Sequence, residues 1–188
     1  MQFPNKLFEK FKTETIDKIL KIQRKDVEKL YKIIKQIKLK QKKILIFGNG
    51  AGQSIANHFS VDLTKTANVR CLSFSEGNYL TCYGNDYGFE NWIVKTIEKY
   101  YDKEDLVILI SASGKSKNMV KAAKYCKKKK FKFFSLSGHG KNTPLRLNSE
   151  NNIFVDSRSF NIIEIAHLYA LIQIVDLIKG KLVYSNKK

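Results

Sequence analysis

Two helical segments of the sequence each carry a histidine and a carboxylate at a spacing that puts both on one face. His58 and Asp62 are four residues apart, and Glu164 and His167 are three residues apart. Side chains at these spacings are neighbours on a helix surface. Two histidines and two carboxylates could bind zinc or act as an acid–base pair if the two helices meet. The third histidine, His139, lies between two glycines and is interpreted as a solvated turn residue.

Two loops rich in small residues each stand between an apolar segment and a helical one. The first is Gly48-Asn49-Gly50-Ala51-Gly52, and the second is Ser111-Ala112-Ser113-Gly114-Lys115-Ser116. Hydroxyl and backbone N–H groups at a helix N-terminus bind phosphate, so the second loop predicts a phosphate site. The alternatives are a tight turn without a ligand for the first loop, and Ser116 as a simple helix cap for the second.

Apolar strands alternate with helices along most of the chain. Strands are predicted at 43–47, 69–74, 105–110, 131–136 and 153–155. Helices are predicted at 6–39 with a break near 23–25, and at 55–66, 88–101, 117–128 and 160–179, while 75–85 is ambiguous. This alternation predicts an α/β domain with a five-stranded parallel sheet flanked by helices. Ligands of such sheets bind at the carboxyl ends of the strands, where both loops lie.

The N-terminal helical pair, residues 1–41, carries two apolar stripes and precedes the sheet domain of residues 42–188. The first stripe contains Phe8, Phe11, Thr15, Ile19 and Ile22, and the second contains Val27, Leu30, Ile34 and Ile37. Stripes of this kind bury apolar surface against a partner. The sheet domain and another subunit are both open as that partner.

The composition indicates a cytoplasmic protein with no membrane segment. The 188 residues are 43% apolar and contain neither a long apolar run nor an apolar N-terminal leader. The cysteines Cys71, Cys82 and Cys126 share no metal or redox spacing and are interpreted as reduced, buried thiols. The net charge of +18 is spread and mostly lysine. Because no nucleic-acid-binding motif accompanies this charge, we expect no specific nucleic-acid partner. The positive electrostatic field would attract phosphorylated substrates.

From Lys42 to about Gly180 the sequence resembles a sugar isomerase (SIS) domain, specifically the phosphoheptose isomerase family. The matching motifs occur in the family's order and near its spacing. They are Gly48-Asn49-Gly50-Ala51-Gly52, His58-Phe59-Ser60-Val61-Asp62-Leu63, Gly84-Asn85-Asp86-Tyr87-Gly88-Phe89 and the serine loop 111–116.

The resemblance implies isomerisation of sedoheptulose 7-phosphate to a glycero-manno-heptose 7-phosphate through an enediol, for bacterial surface-glycan heptose synthesis. It implies phosphate binding by Ser111, Ser113 and Ser116, with Asn49, Gly50, Ala51, Asn85, Asp86 and Ala112 shaping the rest of the substrate pocket. It also implies a homotetramer that the N-terminal helices help to form, and zinc bound among the catalytic residues.

The sequence departs from the family at positions that belong to its active site. Asp62 replaces a glutamate, Glu164 a glutamine, Ile172 a histidine and Gly52 a serine. One reading is a rewired isomerase, in which Asp62, Glu164 and His167 are catalytic and bind zinc together with His58. The alternative is a non-catalytic SIS protein that binds or senses phosphosugars. The retained serine loop and the pair of His58 with Asp62 favour the isomerase.

Overall fold

A computed structural model describes residues 3–182, and a five-stranded parallel sheet runs through its centre. Its strands are β1 (Lys43–Phe47), β2 (Arg70–Ser73), β3 (Leu106–Ser111), β4 (Lys132–Gly138) and β5 (Asn152–Val155), in the order β2-β1-β3-β4-β5. Every residue of β3 and all but the first of β1 are buried. Strands of this apolar kind need helices on both faces, so the predicted fold class is confirmed.

Helices cover both faces of the sheet. They are α1 (Asn5–Leu20), α2 (Arg24–Leu39), α3 (Ala51–Lys65), α4 (Gly77–Tyr87), α5 (Trp92–Tyr100), α6 (Lys117–Lys129), α7 (Pro144–Asn148) and α8 (Phe160–Lys179). Buried residues of α2, α3 and α8 form one apolar core with the sheet. Those of α5, α6 and α7 form a second core on the other side.

Two helix starts differ by four residues from the sequence prediction, and both differences come from glycine-containing turns. Helix α3 begins at Ala51 instead of residue 55, because the turn itself forms the first helical bonds: the Gly52 N–H donates to the Asn49 carbonyl at 2.9 Å. Helix α5 begins at Trp92 instead of residue 88, because Gly88 has a φ of 79°. A positive φ does not belong to a right-handed helix, so the chain turns there first.

Two elements were not predicted as helices. The ambiguous segment forms α4, which begins where the Glu76 carboxylate accepts a hydrogen bond from the Tyr79 N–H at 2.9 Å. Helix α7 has five residues and begins with Pro144, which favours a first helical position. The prediction that all three cysteines are buried is wrong for Cys82, which lies exposed on α4.

The two N-terminal helices pack differently. Leu30, Ile34 and Ile37 of α2 are buried in the core with the sheet, so the sheet domain itself covers the second stripe. Helix α1 contacts α8 but has no buried residue of its own. Its exposed apolar side chains, with the preceding Phe3, are Leu7, Phe8, Phe11, Ile16 and Leu20. Within the described residues, the first stripe is therefore half covered: Phe8 and Phe11 are exposed, whereas Ile19 and Ile22 pack on the core.

Helix α8 serves as a core helix. By length and composition it is long and apolar enough to cross a membrane, which is true of one helix in the described part of the chain. Core helices of globular proteins meet the same criterion, and Ala170, Leu171 and Ile174 are fully buried against the sheet. The helix therefore owes its apolar composition to packing between α2, α3 and the strands.

The turn after β1 leaves no space for a side chain at Gly48. A Cβ there would lie 2.1 Å from the Gly52 carbonyl carbon, which is backbone and cannot rotate away. We therefore expect Gly48→Ala to lower the free energy of unfolding by about 2 kcal/mol or more, measured by urea denaturation.

The control for this prediction is Gly84→Ala in α4, where a Cβ would meet no atom within 4 Å. Because alanine favours a helix interior, this variant should be unchanged or more stable by up to about 1 kcal/mol. Equal stability of Gly48→Ala and the wild type would contradict the steric argument.

Candidate active site

The serine loop turns its hydroxyl groups toward one another. The Ser111 hydroxyl lies 3.1 Å from the Ser116 hydroxyl and 3.5 Å from the Ser113 hydroxyl, which also accepts from the Lys115 N–H at 3.1 Å. Ser116 is the N-cap residue of α6, but its side chain makes no capping bond. The simple capping interpretation is therefore wrong. The three hydroxyls instead converge at a helix N-terminus, where an anion is stabilised.

A segment that sequence reasoning missed supports the serine loop from behind. A Cβ at Gly114 would lie 2.3 Å from the Thr143 Oγ1, and Gly114 has a φ of 63°. The Leu145 N–H donates to the Gly114 carbonyl at 3.0 Å. The loop thus packs tightly on the start of α7, which limits the conformations open to its serines.

Asn49 forms a reciprocal amide pair with Asn118. Each side chain donates to the other, at 3.0 and 2.9 Å, and Asn118 is 2% exposed. Asn49 was predicted to contact substrate, but both ends of its amide are engaged in this pair. The pair ties the turn after β1 to the first turn of α6, so the two loops are held at one edge of the sheet. In the sequence, Asn118 is visible only as a polar residue in the first turn of α6, and its pairing with Asn49 is not.

An open groove of about 450 Å³ lies between the N-terminal halves of α3 and α8, and we call it the α3–α8 groove. Ala51 and Ser54 line it from α3, Asn161 and Glu164 line it from α8, and Phe11 lines it from α1. Gly50, the N-cap residue of α3, has a φ of 53° and directly precedes Ala51 in this wall. The structure thus places Ala51 and Glu164 on facing walls of one groove.

Glu164 is the half-buried carboxylate of this groove. No hydrogen bond or ion pair to another described residue holds it, and burial raises its pKa above the ordinary value. Desolvation disfavours the charged form, which is the direction expected for a carboxyl group facing apolar neighbours. A carboxylate with a raised pKa is a better proton acceptor than an ordinary one, and its acid form exists closer to neutral pH.

His58 and Asp62 form the expected pair on α3. The His58 Nε2 lies 3.2 Å from the Asp62 Oδ2, and the two side chains are 59% and 14% exposed. Ala51, His58 and Asp62 fall within one face of the helix at their spacings of seven and four residues. The pair therefore continues the face that carries the α3 wall of the groove.

His167 lies in the protein core and does not line the groove. It is fully buried, its Nε2 lies 3.2 Å from the Ser137 carbonyl oxygen, and its Nδ1 has no partner among the described residues. Burial, opposed by the bond to Ser137, lowers its pKa to about 4. A neutral ring donating to Ser137 links α8 to β4. This position differs from the catalytic and metal-binding position expected from the sequence.

The four side chains expected to bind zinc do not form one site within the subunit. His58 and Asp62 contact each other, Glu164 lines the groove, and His167 turns toward β4. Across residues 3–182, no three His, Cys, Asp or Glu side chains come close enough to hold a metal ion. A structural or catalytic zinc site needs at least three protein ligands, so this donor set does not fit the metal.

Asn85 and Asp86, predicted to hold sugar hydroxyls, lie exposed in the last turns of α4. The Asn85 amide donates to the Asp86 carboxylate at 3.0 Å, and the Cys82 thiol donates to the same carboxylate at 3.6 Å. These bonds are local to α4, and none of them reaches the serine loop. The structure therefore does not bring this pair to the other predicted substrate-binding residues within one chain.

His139 is not the solvated turn residue that its glycine neighbours indicated. Its ring stacks on Phe160 at a centroid distance of 5.4 Å, and its Nδ1 is buried with no partner in the described chain. Its backbone N–H donates to the Ser157 carbonyl at 3.1 Å, and its φ is 64°. The residue follows β4 at the carboxyl edge of the sheet and packs on the start of α8.

Comparison with known proteins identifies the same fold and family. The SIS domain profile matches residues 8–138. The chain is 35% identical over 154 residues to the phosphoheptose isomerase of Helicobacter pylori (strain P12), covering 78% of this chain and 79% of that one. It is 37% identical over 110 residues to the phosphoheptose isomerase of Fusobacterium nucleatum, covering 56% of this chain and just over half, 57%, of that one.

A solved structure of a phosphoheptose isomerase from Francisella tularensis matches with a TM-score of 0.85 and 22% identity. The match covers 96% of this chain and 100% of that one. At that identity, the likeness establishes the fold. The structural match also includes β5 and α8, which follow residue 138, where the match to the SIS domain profile ends.

The depressed pKa of His167 makes stability depend on pH. The unfolded chain binds a proton near the ordinary pKa of 6.5, and the folded chain only near 4, so stability falls as pH drops through that interval. We expect the wild type to lose about 2 kcal/mol more than His167→Gln between pH 7 and pH 5, measured by urea denaturation. Equal losses in the two proteins would show that His167 is not buried as described.

Proposed function

Because the chain belongs to the phosphoheptose isomerase family of SIS-domain proteins, we propose that it interconverts sedoheptulose 7-phosphate and D-glycero-D-manno-heptose 7-phosphate. The protein is a sugar phosphate isomerase by family. The reaction shifts a carbonyl between C2 and C1 of the phosphosugar. Its product would supply heptose units for bacterial surface glycans, in the cytoplasm.

The convergence of the serine hydroxyls is the observation that carries this proposal. At the N-terminus of α6, the Ser111 hydroxyl lies 3.5 Å from the Ser113 hydroxyl and 3.1 Å from the Ser116 hydroxyl. Hydroxyl and N–H donors together suit a phosphate group, which is the handle shared by substrate and product. With the phosphate anchored there, Ala112, Gly50 and Ala51 are the proposed neighbours of the sugar chain.

Glu164 is the proposed base for the carbon-bound proton. Its carboxylate takes a proton from C1 as the C1–H bond breaks. That electron pair forms the C1–C2 double bond of an enediol, while the π pair of the C2 carbonyl moves to the C2 oxygen, which takes up a proton. In the second half, the C1 hydroxyl loses its proton to form the C1 carbonyl, and the electron pair of the C1–C2 double bond takes the proton back from Glu164 at C2. The raised pKa suits both halves of this exchange, because the group must accept and then release a proton.

The His58 and Asp62 pair is the proposed carrier of the hydroxyl proton. Converting the ketose moves one proton from the oxygen on C1 to the oxygen on C2, and a histidine paired with a carboxylate can accept and donate it. Asn49, Asn85 and Asp86 remain proposed substrate contacts that require side chains to exchange partners. We assign His167 a positioning role, since its ring joins α8 to β4.

No step of the proposed reaction is assigned to zinc. The donors that would bind it do not converge in one subunit, so no step depends on the metal. Both proton transfers can be written with Glu164 and the pair of His58 with Asp62 alone.

The proposed assembly is a homotetramer formed with the help of the N-terminal helices. Within the described residues, Leu7, Phe8, Ile16 and Leu20 of α1 are exposed, and Phe11 of that helix lines the α3–α8 groove. A second subunit packed on α1 would bury this face and enclose the groove from water. Exclusion of water strengthens the electrostatic interactions on which proton transfer depends.

The decisive experiment follows sedoheptulose 7-phosphate in D₂O by NMR. The wild type should produce aldose signals and introduce deuterium at C1 or C2. Glu164→Gln should reduce turnover by about a hundredfold or more while still binding the sugar, because it removes only the proton acceptor. Ser113→Ala should instead weaken binding about tenfold in calorimetry, as expected on losing a hydrogen bond to a charged phosphate.

Glu28→Gln is the matched control, because Glu28 is an exposed carboxylate on α2 that pairs with Lys32. It should leave both turnover and binding unchanged. Ligand binding without exchange in the wild type would overturn the isomerase and favour the non-catalytic phosphosugar-binding alternative. Wild-type turnover in Glu164→Gln would remove that residue from the mechanism.

The proposed assembly predicts that Phe8→Glu dissociates the oligomer. Phe8 is 51% exposed on the apolar face of α1, and a buried unpaired carboxylate would be costly in an interface. Light scattering coupled to size-exclusion chromatography should show a smaller species than the wild type.

Leu72→Glu is the control for this substitution, since Leu72 is 40% exposed on β2, the edge strand at the other end of the sheet from β5. It should leave the mass unchanged. A monomeric wild type, or a Phe8→Glu protein of wild-type mass, would contradict assembly through α1.

A further inference from the structure

A second concave site lies along the β5 edge of the sheet, and we call it the basic cleft. Its volume is about 630 Å³, and its walls are the α1–α2 turn, α7 and β5. None of its lining residues belongs to the serine loop or to the α3–α8 groove. The volume lies in the range of small-molecule sites, so the cleft is large enough for a ligand of its own.

Positive charge dominates the walls of the basic cleft. Three carboxylates line it, from Asp26, Glu150 and Asp156, against six cations: Lys18, Lys21, Lys25, Lys29, Lys141 and Arg146. Lys18 and Lys21 both contact Asp17, at 3.2 and 2.8 Å. Lys25, Lys29 and Lys141 form no ion pair with any carboxylate in the described chain. The cleft therefore retains positive charge that its own carboxylates do not neutralise.

Arg146 is held in place within the cleft. Its guanidinium carbon lies 4.5 Å from the centre of the Phe154 ring, and its Nη1 donates to the Lys141 carbonyl at 2.6 Å. A guanidinium fixed by stacking and by one hydrogen bond keeps its other N–H groups for a ligand. Its planar geometry matches two oxygens of a phosphoryl group.

Helix α2 begins at the cleft, and Gln23, its N-cap residue, donates to the Lys21 carbonyl instead of capping the helix. The helix N-terminus thus adds partial positive charge to the α1–α2 wall.

We propose that the basic cleft binds a small anion carrying two or more linked phosphoryl groups, as in a nucleoside diphosphate or triphosphate. Cations stand on the α1–α2 wall and again on the α7 wall, so linked phosphates can engage both walls while a single phosphate engages one. This site is independent of the proposed isomerase function, because the two share no residue.

The proposal can be tested by calorimetry with tripolyphosphate, ATP and orthophosphate. A salt concentration of about 0.1 M screens weak attraction to the protein surface. Tripolyphosphate and ATP should bind the wild type more tightly than orthophosphate. The double variant Lys25→Ala/Lys29→Ala should bind tripolyphosphate about tenfold more weakly, because it removes two exposed positive charges that would contact the anion. Tighter binding of ATP than of tripolyphosphate would identify a nucleotide site, and equal binding a site for the phosphates alone.

The matched control is Lys127→Ala/Lys128→Ala, which removes the same charge from exposed lysines at the end of α6. It should keep wild-type affinity for tripolyphosphate. Equal loss in both double variants would show attraction by overall charge and overturn the site, as would absence of binding to the wild type.

Ser113→Ala separates this site from the serine loop. It should keep tripolyphosphate binding and weaken sedoheptulose 7-phosphate binding. Lys25→Ala/Lys29→Ala should weaken tripolyphosphate binding and keep sedoheptulose 7-phosphate binding. Loss of tripolyphosphate affinity in Ser113→Ala would place the anion on the serine loop and overturn the basic cleft.

Discussion

The close approach of β1 to α3 is the constraint on which the rest of the structure depends. A Cβ at Gly48 would lie 2.1 Å from the Gly52 carbonyl carbon, so the end of the strand cannot carry a side chain where it meets the first helical turn. The helix therefore starts at once and crosses the sheet close to Ile110 of β3. That placement sets the wall against which α8 forms the groove, and it brings Asn49 within reach of Asn118.

Much of the fold follows from apolar continuity along the chain. The limits of β1 and α8 agree with the prediction to the residue, because β1 is an apolar run flanked by lysines and α8 is an unbroken apolar helix. The start of α3 could not be read in the same way, because glycine and asparagine are as typical of a turn as of a cap. Helix α7 escaped prediction because five residues are too few to show a helical period.

The site was less predictable than the fold, because spacing along one helix does not report what another element brings near it. The pair of His58 with Asp62 was correctly placed on one face, since both lie on α3. Glu164 and His167 share α8, yet a separation of three residues turns them to different surroundings: one meets the groove and the other meets β4. Asn118 is visible only once α6 is seen beside the turn after β1.

The orientation of Ser116 links ligand binding to folding. Because its hydroxyl faces Ser111, the N-terminus of α6 lacks the side-chain cap that would stabilise a helix by about 1 kcal/mol. An anion seated on the loop would supply that missing cap and would thereby become a structural component of the helix. By mass action, the protein would then be most resistant to unfolding and proteolysis when phosphorylated ligand is abundant. The abundance of the protein in the cell would in this way follow the supply of the compound that it binds.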